Sequence, residues 1–171
     1  MKRNTLIRLL APIVILTILS SCDKQISNVS AREINSSTSC SLDGMVLAEF
    51  AGPKGQIHYA TGEPDFFCDT VEMFSIYLLP EQKKRITAIF TQDMGKADWE
   101  KPHGNWIDAK KGFYVLGSKK TGSMGPTLAA FAFQQDAKTF AKAFGGNVLT
   151  FDKITPDMVD LTGGVVKDEH M

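Results

Sequence analysis

Five sulfur-bearing side chains carry the most informative chemistry in this chain: Cys40, Met45, Cys68, Met94 and Met124. Thiolates and thioethers are soft donors, and they select copper(I) over harder ions. Cys40 and Met45 flank a short turn that contains Gly44. Cys68 stands between a strand-like segment and a helix start, where the dipole and free N–H groups lower a thiol pKa. Met94 lies between Asp93 and Gly95, and Met124 between Ser123 and Gly125. A methionine set among glycine and polar residues has little apolar surface to pack against. Bland readings stay open beside this one. Methionine commonly fills gaps in a core, which is the reading for Met73 and an alternative for Met45, Met94 and Met124. Cys40 and Cys68 can form a disulfide in an oxidising compartment, or Cys68 can be an inert thiol beneath a helix.

Other chemistries have less support. No G-x-S-x-G is present, and His58, His103 and His170 sit in no acid–base or nucleophile motif. Zinc finds neither C-x-x-C nor a paired-histidine spacing. A blue-copper site needs two histidines near a cysteine, and the Cys68 region offers none. Net charge is +0, with 19 basic and 19 acidic residues. That balance, with no basic stripe, excludes nucleic acid as an expected partner.

The elements that must position these sulfurs begin after an unusual N-terminus. Lys2, Arg3 and Arg8 precede an apolar run, Leu9 to Leu19, that is too short for a bilayer span of about 20 residues. Leu19-Ser20-Ser21-Cys22 then fits a bacterial lipobox. Residues 1–21 are therefore expected to be a lipoprotein signal peptide, with Cys22 lipidated as the first mature residue. Asp23 resembles a signal for retention in the inner membrane. Residues 22–39 are polar and read as a flexible tether. Residues 40–160 form the expected domain, with 161–171 a C-terminal tail.

Strand-like segments fall at Met45–Phe50, Gln56–Ala60, Ile86–Phe90, Phe113–Gly117, Leu128–Phe133 and Asn147–Phe151. Helices are predicted from about Thr70 to Leu79 and from about Ala137 to Phe144. Asp69 and Glu72 make a D-x-x-E capping pattern at the first helix, and Asp136 is a candidate cap for the second. Pro80 and Gly145-Gly146 stop the two helices. The spacing predicts an α+β fold of two tandem β-β-α-β repeats, two small sheets each packed by a helix. The Gly117–Pro126 loop is an insertion in the second copy, and insertions are places to look for function.

Several blocks carry a family resemblance. Phe67-Cys68-Asp69-Thr70, Gln92-Asp93-Met94-Gly95, Trp106-Ile107-Asp108-Ala109, Phe113-Tyr114-Val115, Gly122-Ser123-Met124-Gly125-Pro126-Thr127-Leu128-Ala129 and Pro156-Asp157-Met158-Val159 resemble, in order, the signature blocks of the NosL family. The resemblance implies a copper(I)-binding envelope lipoprotein, not an enzyme. It implies delivery of copper for the copper-sulfide centre of nitrous oxide reductase, beside an envelope ABC-type transporter complex. It also implies two copies of a β-β-α-β unit. One departure stands out. Many members carry C-x-x-C-G-M, whereas here Asp43 occupies the second cysteine's place in Cys40-Ser41-Leu42-Asp43-Gly44-Met45. A copper site would therefore combine Cys40 or Met45 with donors from elsewhere, Met124 first, then Met94, then Cys68. The rival reading is a metal-free adaptor that docks the reductase or its transporter, stapled by a Cys40–Cys68 disulfide.

Overall fold

Alternation along Gly55–Tyr59 builds the first strand. Ile57 enters the core, while Gln56 and His58 face the opposite side, and all three are buried. A computed structural model describes residues 29–81 and 85–161. Four strands make the first sheet: β1 (Gly55–Tyr59), β2 (Asp65–Phe67), β3 (Ile86–Gln92) and β4 (Trp106–Asp108), in the order β2-β1-β3-β4. A second sheet joins β5 (Phe113–Leu116), β8 (Ala129–Phe131) and β9 (Asn147–Thr150) in the order β8-β5-β9. Between its strands, β6 (Thr121–Gly122) and β7 (Gly125–Pro126) form a two-stranded hairpin. Neighbouring strands are antiparallel throughout, with Ile57 opposite Ile89 and Tyr114 opposite both Ala130 and Leu149.

Each sheet carries one helix. Helix α1 (Thr70–Tyr77) packs on β1 and β2, and α2 (Gln134–Phe144) packs on β5, β8 and β9. The architecture is thus α+β, as the sequence predicts. The principal core joins the two halves. Phe74 of α1 meets Tyr114 of β5 edge to face, with centroids 5.1 Å apart, and Ile57, Met73, Leu128 and Ile154 fill the space around them. The Tyr114 hydroxyl is not orphaned by this burial, since it donates to the Ala109 carbonyl at 2.6 Å.

Several expectations change. Met45–Phe50 is not a strand: Val46 makes one bridge with Ser39, and Leu47–Glu49 turns into a 3-10 helix. The apolar residues there anchor a loop, with Leu47 fully buried. Strands β2 and β4 were not foreseen, because neither three-residue segment lies in a longer apolar run of the kind that flanks β8. Asp69 caps α1 through Val71 N–H at 2.9 Å, but Glu72 does not close a reciprocal box, because its carboxylate serves two thiols instead. Asp136 lies inside the first turn of α2, whose N-cap is Phe133. Contacts with the sheet also reach residues before Cys40. Gln56 brackets Arg32, accepting from its N–H at 2.9 Å and donating to its carbonyl at 2.6 Å. Ile34 is buried beside Cys40 and Leu47. Cys22 and the residues read as a signal peptide lie outside the described residues, as does the tail beyond Leu161.

Candidate metal centre

Short-range backbone bonds place Cys40. Its N–H donates to Met45 O at 2.8 Å, and Gly44 N–H returns to Cys40 O at 2.9 Å. Gly44 has φ +79°, a left-handed conformation that glycine adopts at little cost. Ser41 then ties this turn to β2: its N–H donates to Phe66 O at 2.7 Å, and its hydroxyl accepts from Phe66 N–H at 3.1 Å. Cys68 follows β2 directly, so the Ser41–Phe66 pairing brings the two cysteines together. Glu72 stands one helical turn beyond Cys68, the spacing that puts two side chains on one face.

Both thiols converge on that carboxylate. Glu72 Oε2 accepts from Cys40 Sγ at 3.3 Å and from Cys68 Sγ at 3.1 Å. Asp43 Oδ2 is 3.9 Å from Cys68 Sγ. One donor atom from each of Cys40, Asp43, Cys68 and Glu72 lies within 4.8 Å of every other. Cys40 and Cys68 are free thiols and both are buried. The Ser123 hydroxyl, at the tip of the β6–β7 hairpin, donates to Cys68 O at 2.8 Å and lies 3.1 Å from Cys68 Sγ.

The two thiols titrate unequally. Cys40 is lowered to about 6, chiefly because Cys68 donates to its sulfur, with backbone N–H groups including that of Leu42 adding to the effect. Cys68 is raised, first by sharing its proton with Cys40, then by burial. The pair therefore gives up its first proton from Cys40 and holds the second. Glu72 is pushed up to about 7 by burial, with the Cys40 charge adding to it. Asp69 is pushed up to about 6, again by burial. Behind them lies Lys54, 0% exposed, whose ammonium donates to Ala51 O at 2.9 Å and Cys68 O at 3.1 Å. Burial lowers it to about 8.

The predicted sulfurs separate into groups. Cys40 and Cys68 meet. Met45 is half-buried against them. Met124 is 49% exposed and lines a cleft of about 410 Å³ together with Asp43, Glu72 and Met158. Met94 lies elsewhere, packed with Val115, Phe131 and Ala137 in a second cluster; its N–H bonds to Ala130 O at 2.8 Å. Cys68, placed last among the added donors by the sequence, is the one beside Cys40, and Met94 lies in another core. Asp43 does leave the turn without a second thiol, and Cys68 supplies one from across β2. Sequence reasoning missed Glu72 and Lys54 as neighbours of the sulfurs. The four-residue step from Cys68 to Glu72 was the available signal; nothing local marked Lys54.

Two thiols at this separation suit a soft monovalent ion. The carboxylates beside them are hard donors and proton acceptors. The cleft lined by Met124, Asp43 and Glu72 reaches the carboxylate that both thiols contact, while the two cysteines themselves stay buried beneath it.

Known proteins resemble this chain in sequence and in fold. The NosL family profile matches residues 31–159. Copper-binding lipoprotein NosL of Stutzerimonas stutzeri is 43% identical over 119 residues, which cover 69% of this chain and 62% of that protein. The chain thus spans less than two thirds of that relative's length. Copper-binding lipoprotein NosL of Achromobacter cycloclastes is 35% identical over 163 residues, 91% of this chain and 84% of that protein. The crystal structure of the copper chaperone NosL from Shewanella denitrificans superposes with a TM-score of 0.72 at 36% identity, covering 75% of this chain and 97% of that one. Among the described residues no helix is long and apolar enough to cross a membrane.

Proposed function

Since the chain belongs to the NosL family, we propose that it is a lipid-anchored envelope protein that binds copper(I) and hands it on for assembly of the copper-sulfide centre of nitrous oxide reductase. The observation that carries this reading is the convergence of two free thiols on Glu72, beside an exposed thioether. Cys40 and Cys68 are the proposed primary ligands. Met124, on the rim of the cleft, is the proposed exchangeable third donor, and Met45 supports the thiols by packing.

The chemistry follows from the protonation states. Cys40 presents sulfur already inclined to ionise. A copper(I) ion arriving there displaces the Cys68 proton, which Glu72 Oε2 is placed to accept. Two thiolates make a low-coordinate site for the soft ion. Met124 is exposed on the cleft, which supports its role as the donor that a receiving protein displaces first in a stepwise exchange of sulfur ligands. Nothing in this sequence of steps requires catalysis by the chain. The anchor is Cys22, lipidated after removal of residues 1–21 and joined to the domain by the segment that follows. More than one acyl chain on that residue gives stable attachment. The inner membrane, where an ABC-type transporter complex would stand, is the proposed location.

Copper(I) titration of the protein against a competing chelator tests the reading. The expected result is a single tight site whose occupancy protects Cys40 and Cys68 from alkylation. Binding no tighter than that of a denatured control ends it. Thiol counting separates the adaptor reading: a native protein with no titratable thiol at Cys40 or Cys68 would favour the disulfide-stapled form.

A further inference from the structure

Lys54 is an unusual residue to find at 0% exposure, since burying an ammonium is costly unless it is compensated. Its main chain is clamped, with N–H donating to Gln92 Oε1 at 3.1 Å and O accepting from Gln92 N–H at 3.2 Å and Thr91 Oγ1 at 3.1 Å. Its side chain has nowhere to swing, because Nζ is held by Ala51 O and Cys68 O. Among the described residues no carboxylate lies within ion-pair distance of this ammonium. The charge is therefore not consumed by one partner. It acts on Asp69, Cys68 and Glu72 together, from a position bonded to the Cys68 carbonyl.

We propose that Lys54 is the built-in counter-charge of the metal centre and sets its preference for a monovalent over a divalent cation. The inference rests on the reading of Cys40 and Cys68 as metal ligands. Its basis is charge accounting. Two thiolates with a monovalent ion leave one net negative charge, which the ammonium cancels. Two thiolates with a divalent ion are already neutral, so the ammonium, whose field also falls on Asp69 and Glu72, gains nothing from the thiolate pair. A fixed positive charge also repels a divalent ion twice as strongly as a monovalent ion at the same point. Donor types alone would not give this discrimination. Two cysteines with Glu72 and Asp43 make a set that zinc(II) also accepts.

The test compares zinc(II) and copper(I) affinities in the full-length protein and in Lys54→Gln and Lys54→Met variants. Glutamine can still donate a hydrogen bond to a carbonyl and methionine cannot, while both remove the charge. The expected result is that both variants raise the zinc(II)-to-copper(I) affinity ratio by roughly tenfold or more. Thermal unfolding checks that each variant folds, and Lys54→Gln carries the test if Lys54→Met does not. A ratio unchanged from wild type, or a parallel fall of both affinities, overturns the counter-charge role and leaves Lys54 as packing only. A wild-type protein that binds neither ion sinks the metal-centre reading itself.

Discussion

A Cβ placed on Gly122 would run into Oδ2 of Asp69. The N-cap of α1 and the β6–β7 hairpin are thus in direct contact, across the two halves of the fold. Asp69 Oδ1 reinforces the contact by accepting from Thr127 Oγ1 at 2.7 Å while it caps Val71. This contact seats Ser123 over Cys68. Gly122→Ala should therefore cost about 1–3 kcal/mol through overpacking, read by chemical denaturation. The same variant should weaken copper(I) binding, because the displaced hairpin carries Ser123 and Met124 away from the thiols. A variant as stable as wild type would show that the hairpin tolerates the shift.

Met94 and Met124 should respond in opposite ways to truncation. Met94 is a core residue among Val115, Phe131 and Ala137, so Met94→Ala should lower stability by about 2–4 kcal/mol and leave copper(I) affinity near wild type. Met124 is 49% exposed, so Met124→Ala should leave the unfolding midpoint unchanged. Its expected effect is on exchange, with copper(I) affinity lowered severalfold and the rate of transfer to a thiol acceptor altered. Denaturation and chelator competition on the same two samples decide the assignment, and a metal defect confined to Met94→Ala would reverse it.

Glu72 makes the stability of the metal-free protein depend on pH. Its carboxyl is pushed from an ordinary 4.5 up to about 7, first by burial. A folded-state pKa above the unfolded one means that the native protein holds the proton more tightly. The corresponding stability is fully present below about pH 4.5 and is lost as pH rises through about 7. Glu72→Gln carries no such proton. Measured by urea unfolding, wild type should lose stability relative to this variant across that window and run parallel to it above. Parallel curves at all pH values would mean that Glu72 is not titrating there.

The two helices and the longer strands were legible because their periods are long enough to read. Phe74 and Ala137 anchor the buried faces of the two helices, and Gly145 at φ +81° closes α2 where Gly145-Gly146 were expected to stop it. The centre itself was legible only in part. Cys40 and Cys68 could be singled out by donor softness, but their meeting depends on the Ser41–Phe66 pairing, made by a three-residue strand without a pattern. Glu72 was read as a cap because D-x-x-E is a local signature, whereas its actual partners include a residue 32 positions away. Lys54 was silent for the same reason. A lysine beside glycine and proline reads as an exposed turn, and only the packing of β3 and the hairpin around it buries the ammonium.

Cys40→Ser and Cys68→Ser should be non-additive. Each sulfur is within reach of the same Glu72 oxygen, so the two act on one bound ion rather than as separate sites. Removing either thiolate leaves a single soft donor, with a hydroxyl in place of the other, and copper(I) affinity should fall on the order of 100-fold or more in each variant. Once the pair is broken the remaining cysteine gains little from its neighbour, so the double variant should lose much less than the two single losses combined. The single variants should differ in pH response. Cys40 ionises readily because Cys68 donates to it; in Cys68→Ser a hydroxyl still donates there, and residual binding should persist toward lower pH. In Cys40→Ser the remaining thiol lies beside Glu72 without that arrangement, and residual binding should require higher pH. Chelator competition at three or four pH values measures both patterns, and fully additive losses would mean that the cysteines hold metal independently.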